Sequence, residues 1–379
     1  MPGGCLRIAV VSMGSPFERA SWSGIPFYAL RELRRRFRDV VVIDTPRIDK
    51  ALRRTSSLSR LGLLVLREPI VTAAFARHLN RRLEAIRADV VISIGADYKV
   101  AYIDPQWRVI HVADGLFAPI INYYPRYRRL SARTRRTGDK VQAHLIGREQ
   151  PIAVTSTWAA WSAAEAYGVP VSRFKVAPIG ANLDTDPGMG ALRPNSGPLR
   201  LLFVGYDWRR KGGDIVAAAF NILRTRLPDA ELHIVGCDPA EVRGVPGVVI
   251  HGPLSKAEPG QSETLSDSFR EANFLFMPSR EEAYGLVYCE ACAYGLPPVA
   301  RDTGGVGTII RHRWNGLLLD TEADAQAYAD EIAAIWSDGA RYAAMQTAAR
   351  EAFETHLNWT AWGAEIEALV RPPPIVGEG

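Results

Sequence analysis

The apolar residues of the chain fall into short runs that stop at glycine, proline or polar clusters, and between them lie longer stretches of helical spacing. Runs at 6–12, 40–44, 90–94 and 109–111 alternate with helical segments at 26–37, 70–87 and 97–103, and 152–180 reads as strand, helix, turn, strand. A fresh series starts at 199–204 and continues at 231–236, 248–252, 274–277 and 298–300, with helices from Asp214 and over 286–294. Apolar strands alternating with helices predict parallel sheets covered on both faces. A stretch rich in Pro, Gly, Asp and Asn, 183–198, separates the two series and reads as a hinge. Residues 255–263 read as a mobile loop before a short helix at 264–272, 322–350 as Ala-rich helix, and 352–369 as an amphipathic terminal helix.

Length agrees with two series. A chain of 379 residues exceeds one ordinary core and fits two domains. Hydrophobic and charged fractions of 47% and 23% are those of a globular protein. Cys5, Cys237, Cys289 and Cys292 are too few for a disulfide framework, and the C-x-x-C of the last two has no second pair or neighbouring His to complete a zinc site. Buried, reduced thiols are expected there. No charged-then-apolar leader pattern appears, and the apolar stretch 61–75 is broken by Arg67, Glu68 and Pro69, so a cytoplasmic protein is expected.

Charge is unevenly spread. Residues 1–180 carry 29 Lys and Arg against 14 Asp and Glu, a balance of +15, whereas 181–379 carry 17 against 27, a balance of −10. The basic half complements either the acidic half, anionic lipid head groups at the inner face of a membrane, or an acidic acceptor. Arg34–Arg36, Arg53–Arg54 and the run from Arg126 to Lys140, with Tyr123, Tyr124 and Tyr127 beside it, favour an outside partner. No nucleic-acid motif accompanies them, and none is expected as partner.

Chemistry concentrates in 274–305, where a buried strand, a polar loop, Gly285 and a helix follow one another. A helix N-terminus offers free N–H groups and positive dipole, so Ala283, Tyr284, Gly285 and Leu286 suit a diphosphate. Glu282 and Glu290 would repel that phosphate. They suit hydroxyls on either side of it, those of a sugar and those of a ribose. A single glutamate is ordinarily a solvated surface residue.

These residues, with Pro278, Ser279, Ala291, Gly295, Pro297, Gly304, Gly305 and Asn315-Gly316-Leu317, resemble the donor-site signature of family-4 retaining glycosyltransferases. The resemblance implies the α/β GT-B fold: two Rossmann-like, doubly wound domains facing across a cleft, 1–182 binding the acceptor and 183–351 the donor. It also implies that a C-terminal helix, 352–372, packs back on the first domain. In that family a loop corresponding to Ser23 and Gly24 closes over the donor, and a His near the hexose corresponds to His111 or Asp114. The unit 152–180 resembles the last one of the family's first domain, its Gly-x-Asn standing at Gly180-Ala181-Asn182. Lys211-Gly212 match the diphosphate loop, but Tyr206 stands where a basic residue is usual, which shifts the second cation to Arg210 or Arg209. Strand ends at Asp238 and Leu254 would line the base pocket. Asp184-Thr185-Asp186 mimics a metal motif of a different fold and, in the linker, is expected to bind none.

The expectation is a retaining, metal-independent hexosyltransferase, with no cofactor, that uses a UDP- or GDP-hexose and a glycan, lipid-linked or small-molecule acceptor. Glu282 would hold the sugar, Glu290 the ribose, and Lys211 and Arg210 the departing diphosphate. The competing readings are a sugar-nucleotide epimerase or hydrolase and a catalytically silent nucleotide-sugar binding protein.

Overall fold

A computed structural model describes residues 6–192 and 196–371. Cys5, residues 193–195 of the expected hinge and residue 372 lie outside the described residues. Two units emerge, Met1–Pro178 with Trp362–Gly379, and Ile179–Ala361.

The first unit is a six-stranded parallel sheet in the order β2-β1-β3-β4-β5-β6. Its strands are β1 (Arg7–Ser12), β2 (Asp39–Val42), β3 (Val90–Ile94), β4 (Arg108–Ala113), β5 (Ile152–Val154) and β6 (Phe174–Val176). All five residues of β3 are buried, as befits a strand with helices over both faces. The strand order reverses between β1 and β3, and at such a switch point crossover helices leave a crevice at the carboxyl ends.

The last helix, Trp359–Val370, closes this unit. At Gly363 a Cβ would strike Glu32 and Arg36 of the helix Ile25–Arg36, so the two helices meet closely there. Arg36 bridges Glu32 and Glu367, and Arg108 donates to the carbonyls of Leu369 and Val370. The sequence pattern placed this helix at 352–369. In the structure the preceding helix runs through Gly339–Thr355, and Asn358 separates the two: its Nδ2 donates to the Phe353 carbonyl and its Oδ1 accepts from the Ala361 amide as an N-cap.

The second unit repeats the plan with β7 (Arg200–Val204), β8 (Glu231–Val235), β9 (Val248–Gly252), β10 (Phe274–Phe276), β11 (Pro298–Arg301) and β12 (Leu317–Leu319). The order β12-β11-β10-β7-β8-β9 is that of a dinucleotide-binding Rossmann sheet, and its switch point lies between β7 and β10. Segment 255–263 is not wholly a loop. Pro259 occupies the first turn of the helix Pro259–Glu271, where its missing N–H costs nothing, so a Pro-Gly pair that reads as a breaker opens a helix instead.

Trp362 is 1% exposed in the first unit. Its replacement by Ala should therefore remove about 3–5 kcal/mol of that unit's stability. Urea unfolding with an unchanged midpoint would show that the terminal helix is dispensable to the fold.

Candidate active site

In the second unit the two loops that leave the switch point are built to approach each other. After β7 the chain runs through Gly205 to Gly212 and into the helix Gly213–Arg226. After β10 it runs through Pro278 to Gly285 and into the helix Leu286–Ala293. Gly212 has φ +77° and packs so closely on the Pro278 carbonyl that a Cβ would collide with it. Gly285, at φ +96°, would meet the Tyr288 ring in the same way. Both positions demand glycine, for backbone angle and for space.

Charged groups cross between these loops. Lys211 Nζ donates to Glu282 Oε2 in an ion pair whose side chains are 13% and 12% exposed. Ser279 Oγ lies 3.4 Å from the same oxygen, and the Glu282 carbonyl accepts from the Gly305 amide at 3.1 Å. Arg210 is partly buried, and its Nη1 donates to the Glu281 carbonyl at 2.9 Å, while Arg209 is exposed. Of the two, Arg210 is the one that bonds to the loop after β10. Tyr206 is 77% exposed.

Sequence reasoning passed over Arg280. Its guanidinium holds Asp214 with two bonds of 2.8 Å, and its amide donates to the Arg210 carbonyl at 2.8 Å. That pairing raises the Arg280 pKa and lowers that of Asp214, each through the hydrogen bond with the other. Its place in the Pro-Ser-Arg-Glu-Glu run was the available signal.

Glu290 is 5% exposed, unlike a solvated helix residue. Lys256 pairs with it and also donates to the Asn182 carbonyl at 3.2 Å. Lys256 was the other residue missed, because its segment read as a mobile loop. Tyr284 is buried, with its hydroxyl donating to the Ile179 carbonyl at 2.7 Å and accepting from Cys289 Sγ at 3.4 Å. Burial raises the Cys289 thiol to about 12, and Cys292 is buried beside it. Ala283 is buried and Leu286 half-buried at the helix start. Asp238 is bound by Arg243 at 2.6 and 2.8 Å on the surface, and Leu254 is half-buried. Asp186 of the D-x-D is bound by the buried Arg350 at 2.6 and 2.7 Å, a structural pairing.

The arrangement sets Lys211 against Glu282 just before the helix Leu286–Ala293, with Arg210 on the same loop as Lys211 and Glu290, held by Lys256, within that helix. Such a site can hold a diphosphate and accept hydroxyl donors on either side.

In the first unit, β4 carries His111 and ends just before Asp114. His111 is 2% exposed, its Nδ1 lies 3.1 Å from Ser93 Oγ, and burial depresses its pKa to about 4, so the imidazole is neutral at neutral pH. Asp114 is half-buried beyond the strand end, and both residues line one cavity. Gly24, at φ +84°, caps the helix Ile25–Arg36 and follows Trp22 and Ser23, themselves left-handed at φ +41° and +54°.

The buried neutral imidazole sets a pH dependence. An unfolded histidine takes up its proton near 6.5, the folded one only near 4, so the unfolded state binds more protons between those values and stability falls as pH drops through that window. The loss should reach about 3 kcal/mol by pH 4. His111→Asn should flatten that part of the curve in thermal melts, and an unaltered slope would remove the assignment.

Residues 198–338 match the family model described as Glycosyl transferases group 1. The chain is similar to a D-inositol 3-phosphate glycosyltransferase of Xylanimonas cellulosilytica, 31% identical over 240 residues that cover 56% of each chain. It spans about half the length of the curated relatives it matches. Among solved structures, sucrose-phosphate synthase from Thermosynechococcus elongatus superimposes with a TM-score of 0.69 at 20% identity, covering 97% of this chain and 98% of that one. The Anabaena protein HepE in complex with UDP gives 0.66 at 14% identity, covering 96% and 99%. The likeness in these structures is one of fold: the chain has the GT-B fold of two Rossmann-like domains, and the glycosyl transferases group 1 match lies wholly in its second unit.

Proposed function

We propose that the protein is a retaining glycosyltransferase that moves a hexose from a nucleoside-diphosphate sugar to an acceptor held by its first unit. The observation that carries this reading is the meeting of Lys211 and Glu282 across the switch point, beside the helix that starts at Leu286. The structure of HepE with UDP supports a nucleoside diphosphate as the ligand class.

Departure of the donor's diphosphate concentrates negative charge on the leaving oxygen while the anomeric carbon gains positive character. Lys211, Arg210 and the amides at Tyr284 to Leu286 meet the first charge. Donor binding exchanges the Lys211–Glu282 pair for a lysine–phosphate contact, which frees Glu282 to accept from the sugar's hydroxyls. Glu290, relayed by Lys256, takes the ribose diol. These cations take the place of a metal ion, and the leaving phosphate serves as base for front-face attack with retention. Asp114, at the strand end, faces the acceptor, and His111 supports it from the wall as a neutral imidazole.

The similar curated proteins are named for D-inositol 3-phosphate, which supports a hydroxyl-rich acceptor, and glycan or lipid-linked acceptors share that chemistry. Among the described residues no helix is long and apolar enough to cross a membrane. Residues 50–67 and 122–138 hold no acidic residue, and Leu61 and Ile70 are 72% and 78% exposed. That basic and apolar surface supports a cytoplasmic enzyme that touches an anionic membrane.

UDP, GDP and ADP titrated calorimetrically in EDTA should show tight binding of one base. Binding of none would remove the donor site. Lys211→Ala should lower kcat by roughly 10²–10³, the usual effect of removing one donor to a developing oxyanion. Glu282→Ala should abolish transfer while the nucleotide still binds, and wild-type turnover in that variant would place the sugar elsewhere. Sugar release or isomerisation without acceptor would favour a hydrolase or epimerase.

A further inference from the structure

Two cavities open in the first unit, at neighbouring strand ends. One, of about 600 Å³, lies beyond β1 and β2; the other, of about 340 Å³, lies beyond β3 and β4 and contains His111 and Asp114. Each is the size of a small-ligand compartment, roughly 300–1,000 Å³. They are not independent. Met13, Leu64, Leu66 and Tyr98 line both, so the cavities adjoin across a mainly apolar waist.

The walls differ in polarity from the waist. In the larger compartment Lys99, 3% exposed, donates to Thr45 Oγ1 at 2.9 Å and to Asp49 Oδ2 at 3.1 Å. Burial lowers its pKa, and the Asp49 carboxylate opposes that shift. Glu18, Asp44 and Asp49 stand against Lys99 and Arg53, an excess of one negative charge that disfavours an anion. Carboxylate, ammonium and hydroxyl groups side by side suit a ligand that both donates and accepts hydrogen bonds along one edge.

In the smaller compartment Gln142, 1% exposed, has its Oε1 3.4 Å from the Phe117 amide, and its Nε2 has no partner among the described residues. A buried donor without an acceptor costs about 1–3 kcal/mol, which a ligand oxygen would recover. Arg67 is already spent on Asp97 through bonds of 2.6 and 3.0 Å, and Trp22 and Tyr124 offer aromatic surface.

We propose that the two compartments form one groove for a neutral, hydroxyl-rich acceptor of at least two sugar rings, one ring beside Gln142 and one beside Lys99. The acceptor is then an oligosaccharide or glycosylated molecule, and a lone phosphorylated cyclitol would leave the larger compartment unused. This rests on the acceptor half of the function proposed above and adds the substrate's length and charge.

The test is saturation-transfer NMR on the full chain, with methyl glycosides of glucose, galactose and mannose, the disaccharides maltose, cellobiose, lactose and mannobiose, and myo-inositol phosphate. At least one disaccharide should bind about tenfold more tightly than the methyl glycoside of its own sugar, an advantage of roughly 1.4 kcal/mol. Lys99→Met should erase most of that advantage. Ser15→Trp, which adds bulk at another lining residue of the larger compartment and leaves the lysine in place, should do the same if Lys99→Met fails to fold. Methyl glycosides binding as well as their disaccharides, no binding of any sugar, stronger binding of the inositol phosphate, or an advantage that survives both variants would overturn the proposal. UDP titration reports separately on the second unit: its failure beside an intact disaccharide preference would remove the donor reading and leave the groove.

Discussion

The pairing of Lys211 with Glu282 joins two loops whose residues lie 71 positions apart, at the switch point of the second unit's sheet. Neither group could sit so far from solvent alone, because a partly buried charge without its partner is costly. The pair holds the loop after β7 against the loop after β10, and Gly212 allows its backbone to lie close to the Pro278 carbonyl. Arg280 reinforces the same seam from outside through Asp214 and the Arg210 carbonyl. A ligand that replaces the pair meets a prearranged set of charges, which is the economical way to stabilise charge that develops during a reaction.

The first unit solves a different problem with the same architecture. Its sheet also reverses at a switch point, but its crevice is lined by aromatic rings, hydroxyls and balanced charges. Some of the basic character of this half is neutralised locally: Glu32 takes Arg35 and Arg36, and Glu68 takes Arg133. The exposed arginines at 54, 60, 128, 129 and 136 make no side-chain bond among the described residues, and they form the outward-facing excess. Charge thus lies on the outside of this unit, while the cavities are near neutral.

The sequence by itself determined the two parallel sheets, because apolar runs such as Val90–Ile94 and Val248–Gly252 coincide with strands residue for residue. The glycines at 212 and 285 were also legible, since their backbone angles and close contacts leave few residue types able to stand there. What the sequence could not supply was partnership. That Lys256 belongs to Glu290, Arg280 to Asp214 and Asp238 to Arg243 depends on contacts between segments that propensity treats separately. Local reading also failed at Pro259, where a breaker opens a helix, and at Asn358, where a cap divides one expected helix from another. Cavities are tertiary by nature: no spacing along the chain places Met13, Leu64 and Tyr98 around one waist, and only packing of the first unit's sheet and helices decides which polar groups face it.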